Sequence, residues 1–342
     1  YFPDDILRRW GRADAALAAA ITEMYVQGVS TRKVEAVARK LGLDSMSSSR
    51  VSSMCASLDA EVDEFRTRPL GWQRWCYLWL DATWVKCRVE GRSVSQAIVT
   101  AIALGEDGCK HFCGADVMDT ESYADWDRFL ANLRDRGLDG VQLVVSDAHG
   151  GLKRAIAERF QGASWQRRCV HLMRDVAGHV RNRHDQARAV ELLRAVFAQR
   201  DPLVARAALR RAAGEIESFS PAAAACLAGA QEDCLVYMDF PSSHWRKIRT
   251  NNVQERANRE IKRRAKVVQS FPSRGSLVRL VGAVLIGEED AWSQRRMFSR
   301  EVTAEAWNER RRPVPTELEL KTAERRAADV VAEALDQAGR RP

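Results

Sequence analysis

The order of apolar runs between residues 75 and 170 constrains the fold of this chain more than any other feature. Three strand-like runs, at residues 77–87, 94–104 and 109–117, are separated only by short turns that contain glycine. Strands joined by such turns are expected to pair as an antiparallel meander. They are followed by a helix at 121–136, a strand at 141–145, a helix at 151–160 and a short strand at 164–168. This pattern predicts an α/β domain with a mixed five-stranded sheet.

Two aspartates fall at related places in this pattern. Asp81 lies within the first apolar run, and Asp147 comes just beyond the fourth. An acid that is embedded in a strand or ends one is costly unless it is paired or bound to a metal. The order of three strands, helix, strand, helix and strand is that of the ribonuclease H-like fold, in which the first and fourth strands are neighbours. We therefore predict such a core, with the two carboxylates close together.

A third acid, Glu255, lies on a helix candidate at residues 251–266 that is dense in cations. Arg259 and Lys262 share a face with Glu255 on such a helix. Because the acids of this helix are too few to neutralise its cations, contact with phosphates is favoured over a merely solvated face. The cations predicted to bind DNA here are Arg256, Arg259, Lys262 and Arg263.

The rest of the chain divides by composition. Residues 1–70 are predicted to be helical, and residues 71–171 form the first part of the core. An Ala- and Arg-rich helical insertion follows at 172–244, with a strand signal only at 234–238. Residues 245–295 supply the last core helices, and 296–342 form a charged tail, predicted to be a peripheral helix or partly disordered.

Residues 31–58 contain two short amphipathic segments joined by a turn with glycine. Their apolar residues recur at the spacing of one helix face. Two interpretations stay equally open here: a helix-turn-helix with Arg50 facing a DNA groove, and an ordinary helical hairpin.

Composition narrows the class of protein. The net charge of +8 over 342 residues favours a polyanionic partner. The eight cysteines are scattered, as in a reduced cytoplasmic protein. No apolar run approaches the roughly 18 residues of a membrane span. The chain begins at Tyr1, and we expect it to lack the first part of its N-terminal region.

Cys109, His111 and Cys113 alternate along one predicted strand and suggest zinc binding. The outer two would be about 13 Å apart at the rise of an extended strand. Zinc ligands lie within about 2.3 Å of the ion. One strand cannot bring the three groups together, so we predict no zinc site.

Four stretches of this sequence resemble the bacterial Mutator-type insertion-sequence transposases. They read YLWLDATW at 77–84, LVVSDAHG at 143–150, WQRRCVH at 165–171 and TNNVQERANREIK at 250–262. The resemblance extends from residue 1 to about residue 292, and the set of motifs is highly specific.

The resemblance implies a ribonuclease H-like fold whose Asp-Asp-Glu triad is Asp81, Asp147 and Glu255, with a helical insertion before the glutamate. It also implies two Mg²⁺ or Mn²⁺ ions, with Asp81 bridging both and the other two acids each holding one. The expected partners are double-stranded DNA, as terminal inverted repeats and as target, and further copies of the chain on that DNA. The expected location is the bacterial cytoplasm, at the nucleoid when on DNA.

The family also has a signature of Cys or Asp three residues before a histidine, and this chain departs from it. Arg168 stands three residues before His171, and the cysteine is displaced to Cys169. His171 either orients a carboxylate or contacts the scissile phosphate, or it is a structural residue at a strand–helix junction. His149 is either a support for metal ligands or a residue of a helix N-terminal turn.

Two other functions stay open at this point. A decayed or domesticated transposase would act only as a DNA-binding protein. The intact acids argue against this alternative, whereas the altered signature and the expected lack of the first N-terminal part keep it open. Another ribonuclease H-like nuclease, such as a resolvase, is disfavoured by the long segment between Asp147 and Glu255.

Overall fold

The computed structural model describes residues 57–250, 252–268, 270–308 and 314–339, with a few isolated positions between residues 20 and 55. One mixed sheet has the strand order β3-β2-β1-β4-β5. Its strands are β1 (Trp75–Val89), β2 (Arg92–Gly105), β3 (Lys110–Met118), β4 (Leu143–Ser146) and β5 (Ser164–Arg167). The first three strands are antiparallel, whereas β4 pairs in parallel with β1 and with β5. The predicted mixed five-stranded sheet in an α/β domain is confirmed.

Local sequence explains the long β1–β2 hairpin. The turn residues Glu90 and Gly91 both have positive φ angles, of 50° and 78°. Two consecutive residues of this kind give a two-residue turn whose twist matches that of the strands. The first half of β1, from Trp75 to Leu80, is fully buried, because helices cover both faces of the sheet there.

One face of the sheet is covered by α2 (Tyr123–Asp135) and α3 (Gly150–Arg159). The buried residues of α2 recur at helical spacing, as the sequence predicted. They are Trp126, Phe129, Leu130 and Leu133. These side chains form one apolar cluster with residues of β1 and β2, including Leu78 and Leu80. The preceding helix α1 (Ser57–Thr67) packs against a later helix and β3.

The opposite face carries a layer of helices that are rich in alanine. They are α4 (Cys169–Gly178), α5 (Arg183–Phe197), α6 (Pro202–Glu217), α7 (Pro221–Ala228) and α8 (Trp245–Ile248). The strand predicted at 234–238 is wrong, because Val236–Asp239 form a 3₁₀ helix. Just before this segment, the Asp233 carbonyl accepts a 2.9 Å hydrogen bond from the Arg167 amide at the edge of β5. A short apolar run is compatible with a strand or a buried turn, and only packing decides between them.

Four further helices complete the described chain: α9 (Asn252–Val268), α10 (Arg274–Ser293), α11 (Arg300–Ala304) and α12 (Glu317–Gly339). Within the tail, α12 packs on α5 and α6. Its small apolar residues Ala327, Val331 and Ala334 are buried in the same cluster as the alanines of α6. Residues 317–339 are therefore a packed peripheral helix, the first of the two alternatives for the tail.

The predicted helix-turn-helix at residues 31–58, including Arg50, lies almost entirely outside the described residues and stays a prediction. Within the described part of the chain, no helix is long and apolar enough to cross a membrane.

Candidate active site at the end of the parallel strands

The register of the parallel strands places Asp81 and Asp147 side by side. In that register Trp79 of β1 is opposite Val145 of β4. Asp81 and Asp147 each follow two residues later. Since side chains two positions apart point to the same face of a sheet, both carboxylates lie at the same edge and on the same face. This is the convergence that the sequence pattern predicted.

A third residue, Arg168, belongs to the same row. Val145 is opposite Gln166 of β5, and Arg168 again follows two positions later. Its guanidinium donates two hydrogen bonds to the Asp147 carboxylate and one, of 2.9 Å, to Oδ1 of Asp81. One arginine therefore joins the two acids.

Burial increases steadily across this group. The exposed fraction of the side chain is 37% for Asp147, 11% for Asp81 and 4% for Arg168. Burial alone would disfavour the charged arginine, but the hydrogen bonds of Asp147 and the two negative charges outweigh it and raise the pKa of Arg168. Burial likewise opposes ionisation of Asp147, but hydrogen bonds from His171 and Arg168 hold its pKa below the usual value. Asp147 and Arg168 are therefore held in their charged forms.

Two further side chains orient the carboxylates. Nδ1 of His171, in the first turn of α4, lies 2.8 Å from Oδ2 of Asp147. Asn258 of α9 donates a hydrogen bond to Oδ2 of Asp81. We call Asp81, Asp147, Arg168, His171 and Asn258 together the edge cluster.

Helix α9 is held over the sheet by a buried amide. Nε2 of Gln254 donates 3.0 Å hydrogen bonds to the carbonyl oxygens of Trp79 and Thr100, one on β1 and one on β2. Asn258 follows one turn later and reaches Asp81. Sequence analysis missed both amides, although their spacing of four residues on one face of a cationic helix was a usable signal.

Glu255 lies beside the edge cluster rather than in it. Its side chain is exposed, and it stands one helical turn before Asn258. Within the described residues, no group of three or more His, Cys, Asp or Glu side chains stands close enough together to hold a metal ion. The structure thus brings Asp81 and Asp147 together. It leaves Glu255 one helical turn before Asn258, the residue that contacts Asp81.

Comparison with known proteins decides the family. A model described as Transposase, Mutator family, matches residues 1–295. The chain belongs to this family. It is 39% identical over 299 residues to the transposase for insertion sequence element IS1081 of Mycobacterium tuberculosis, covering 87% of this chain and 72% of that protein. It is 35% identical over 294 residues to the transposase for insertion sequence element IS256 in transposon Tn4001 of Staphylococcus aureus, covering 85% and 75%.

Among solved structures, the Drosophila P element transposase strand transfer complex aligns with 93% of this chain and 92% of its own. The identity is 13% and the TM-score is 0.29. A similarity at this level carries no structural conclusion.

In this Mutator-family chain the displaced cysteine points away from the edge cluster. Cys169 is buried, and its Sγ lies 3.6 Å from the carbonyl oxygen of Cys234. Burial raises the pKa of its thiol. The position three residues before His171 therefore puts an arginine, not a thiol, against the two aspartates. His149 is the N-cap residue of α3, and its side chain is exposed and makes no capping hydrogen bond; this position matches its interpretation as a helix N-terminal residue.

The four predicted DNA-binding cations of α9 fall into two classes. Arg256 forms an ion pair with Glu288, and Arg263 forms one of 2.7 Å with Glu260. The hydrogen bond from Arg263 is the largest cause that lowers the pKa of Glu260, to about 2. Arg259 and Lys262 are exposed, and no acid of the described chain pairs with either.

A second buried group of charges lies where β3 meets α10. Glu289 accepts hydrogen bonds from Arg68 at 2.6 Å and from the amide of Phe112 at 2.6 Å. His111 lies between Glu289 and Asp107, at 3.3 Å and 3.0 Å. We call Arg68, Asp107, His111 and Glu289 the Glu289 cluster. His111 is thus engaged by two carboxylates.

Proposed function

We propose that this chain is a transposase that binds the terminal inverted repeats of an insertion sequence and catalyses metal-dependent DNA strand cleavage and strand transfer. The observation that carries the proposal is the row of Asp81 and Asp147, whose carboxylates converge on one cation at the end of neighbouring parallel strands. The family supports it, since relatives at 35–39% identity are named transposases of insertion sequences.

The proposed core is ribonuclease H-like. Support comes from the mixed sheet in the order β3-β2-β1-β4-β5 and from the antiparallel meander that precedes the parallel strands. We propose the division predicted from sequence, with residues 71–171 and 245–295 forming the core around a helical insertion at 172–244.

The residues of the edge cluster fit a divalent ion. Carboxylate oxygens are the ligands that Mg²⁺ and Mn²⁺ prefer. The carboxylates of Asp81 and Asp147 already converge on a positive group, the Arg168 guanidinium, which supports a cation site between them. Asp81, Asp147 and Glu255 would hold the proposed pair of ions. Bound there, divalent ions activate the attacking hydroxyl and stabilise the leaving 3′-oxygen.

The protein's own side chains prepare the site. Asn258 orients Asp81 and His171 orients Asp147, so the two carboxylates are held in place. A positioned acid pair loses little freedom when it binds its ligand, which favours the reaction.

The exposed cations of α9 are proposed to contact DNA. Arg259 and Lys262 lie on the helix that carries Glu255, so a strand bound at the metal site passes them. Terminal repeats and target DNA are the proposed partners, with further copies of the chain on the same DNA in the bacterial cytoplasm.

A strand-cleavage assay tests this function. The purified chain is incubated with a duplex that carries the element's terminal repeat, with Mg²⁺, with Mn²⁺ or with a chelator. We expect nicking at the repeat end that needs the metal and disappears in Asp81→Asn. A scrambled duplex serves as the control. Specific binding of the repeat without any cleavage would instead identify a DNA-binding protein and overturn the enzymatic proposal.

A further inference from the structure

The space between the two aspartates is already taken by the protein itself. A nitrogen of the Arg168 guanidinium is 2.9 Å from Oδ1 of Asp81 and also donates to Oδ2 of Asp147. A second nitrogen donates to Oδ1 of Asp147. In this chain one arginine therefore contacts both aspartates.

We propose that Arg168 is an internal competitor of the metal: it holds Asp81 and Asp147 together in the metal-free protein and has to swing away before a divalent ion binds between them. The inference rests on the proposed metal-dependent function. It assigns to Arg168 a positioning role that also sets the metal affinity of the site.

Geometry makes the two cations mutually exclusive. Mg²⁺ binds carboxylate oxygens at about 2.0–2.1 Å in a nearly octahedral shell. An ion shared by Asp81 and Asp147 would occupy the point where the Arg168 nitrogen now contacts both acids. Like charges at such short range also repel strongly in a half-buried site. The guanidinium and the ion cannot be bound to the two carboxylates together.

The charges show why the exchange is favourable. Two ionised carboxylates and one guanidinium sum to a charge of −1 (−2 + 1), so with a neutral His171 the edge cluster remains negative when Arg168 is in place. A divalent ion in place of the guanidinium neutralises both acids. The forked, charge-assisted hydrogen bonds of the arginine are among the stronger contacts in proteins, so the metal has to compete against them.

The surroundings let the side chain leave while the backbone stays. The Arg168 amide donates to the Ser146 carbonyl at 3.1 Å, which continues the β4–β5 ladder. Asp147 is the most exposed member of the row, at 37%. It therefore marks the open side through which an ion enters and the guanidinium departs.

Metal binding without DNA tests the proposal. Mn²⁺ titrations, followed by the electron paramagnetic resonance signal of free Mn²⁺, compare the wild type with Arg168→Gln and Arg168→Lys. If Arg168 has left the two aspartates in about one molecule in ten, the apparent affinity of the site for Mn²⁺ is about tenfold weaker than its intrinsic affinity. We therefore expect Arg168→Gln to bind Mn²⁺ about tenfold tighter or more. Arg168→Lys keeps the charge but loses the fork and should fall between the two.

A neighbouring arginine provides the matched control. Arg167 pairs with Asp175 at 2.7 Å, outside the edge cluster, so Arg167→Gln makes the same change in charge at the adjacent position. Its Mn²⁺ affinity should equal that of the wild type. Thermal melting adds a second readout. Metal-free Arg168→Gln should melt below the wild type, because two acids are left facing each other, and Mn²⁺ should raise its melting temperature more than that of the wild type.

Each outcome decides. Equal or weaker Mn²⁺ affinity in both Arg168 variants overturns the proposal, as does the absence of Mn²⁺ binding in every variant. If Arg168→Gln does not fold, the Lys variant gives the answer with the charge retained. If Arg168→Gln binds Mn²⁺ more tightly but the wild type never cleaves DNA, this inference stands and the proposed function is wrong. If the wild type cleaves DNA with a metal but the Arg168 variants bind Mn²⁺ as the wild type does, the proposed function stands and this inference is wrong.

Discussion

In the Glu289 cluster a histidine lies between the two carboxylates, Asp107 and Glu289, whereas in the edge cluster an arginine joins the two carboxylates, Asp81 and Asp147. Glu289 is 10% exposed and contacts Arg68, His111 and the amide of Phe112. Burial would raise the pKa of Glu289, but these contacts lower it. In the edge cluster both acids share Arg168, His171 and Asn258 each contact one of them, and Asp147 remains partly open to water.

Under the proposed function, this difference separates acids that stabilise the fold from acids that bind a ligand. Buried polar groups in native proteins are nearly always satisfied, and Glu289 follows that rule with three partners. The side chain of Asp147 is 37% exposed, against 10% for Glu289, so the edge cluster is the one that a cation from outside can reach. Exposure of a paired acid, rather than burial alone, thus distinguishes the proposed functional site.

The largest expected effect that distinguishes the edge cluster from the Glu289 cluster is the loss of catalysis when an acid of the site is replaced. Asp81→Asn, Asp147→Asn and Glu255→Gln should each lower strand cleavage on the order of a thousandfold or more, and pairs of changes should add little, because the members of one catalytic unit fail together. Cleavage rates on the terminal-repeat duplex measure this.

The matched control for that series is Asp127→Asn, since Asp127 pairs with Arg159 at the surface. It should cleave at the wild-type rate. Near-normal cleavage by Glu255→Gln would show that the third acid of the site is not Glu255.

The next effect is on stability, in the other cluster. Glu289→Ala leaves Arg68 and the Phe112 amide without their buried partner and should cost about 3–5 kcal/mol of unfolding free energy. Urea unfolding measures it. Asp147→Asn should cost much less, because Arg168 keeps Asp81 as a partner. Equal losses in the two variants would remove the distinction between the clusters.

The same distinction applies to the cations of α9. Arg259→Ala should reduce the slope of log K against log salt by about 0.9, since each phosphate contact releases a counterion. Arg263→Ala should change the slope less, because Arg263 is already paired with Glu260. Salt titrations on terminal-repeat and random duplexes check this. A larger change in salt slope for Arg263→Ala than for Arg259→Ala would show that ion pairing within α9 does not decide which cations contact DNA.

The smallest effect is a pH dependence of the Glu289 cluster. Burial lowers the pKa of His111, but hydrogen bonds to Glu289 and Asp107 outweigh it, and the folded pKa lies above 6.5. The stabilisation by protonated His111 is therefore fully present below about pH 6.5 and is lost as the pH rises through the folded pKa. For Glu289 the folded pKa lies below 4.5, so its contribution is present above that pH and is lost as the pH falls through the folded pKa.

His111→Gln tests the first sign. The stability difference between wild type and variant should be larger at about pH 5.5 than at about pH 9. The opposite trend would mean that His111 is neutral in the folded protein.

Much of the sheet was predictable because its causes are local. The turn at Glu90 and Gly91, the apolar runs of β1 to β3 and the helical spacing of Trp126 and Phe129 all act within a few residues. The prediction of a strand at 234–238 was wrong because its apolar residues are compatible with any buried backbone conformation. Short runs carry no information about what they will pack against.

The site was predictable in part. Asp81 and Asp147 stand out because an acid in an apolar strand needs a partner. Gln254 and Asn258 escaped notice because their roles depend on where α9 crosses the sheet. Arg168 was visible only as a departure from a signature, and nothing local to it indicates that its side chain reaches two acids.

The sequence by itself determined the sheet strands, their order and two acids, Asp81 within β1 and Asp147 just after β4, since these follow from short-range periodicity and turn chemistry. Only the tertiary structure decided that Trp79, Val145 and Gln166 align, so that Arg168 falls in one row with the acids. Register is a long-range property, and a shift of one residue would turn the arginine to the other face. The cation that the two acids meet is therefore a result of strand pairing rather than of local sequence.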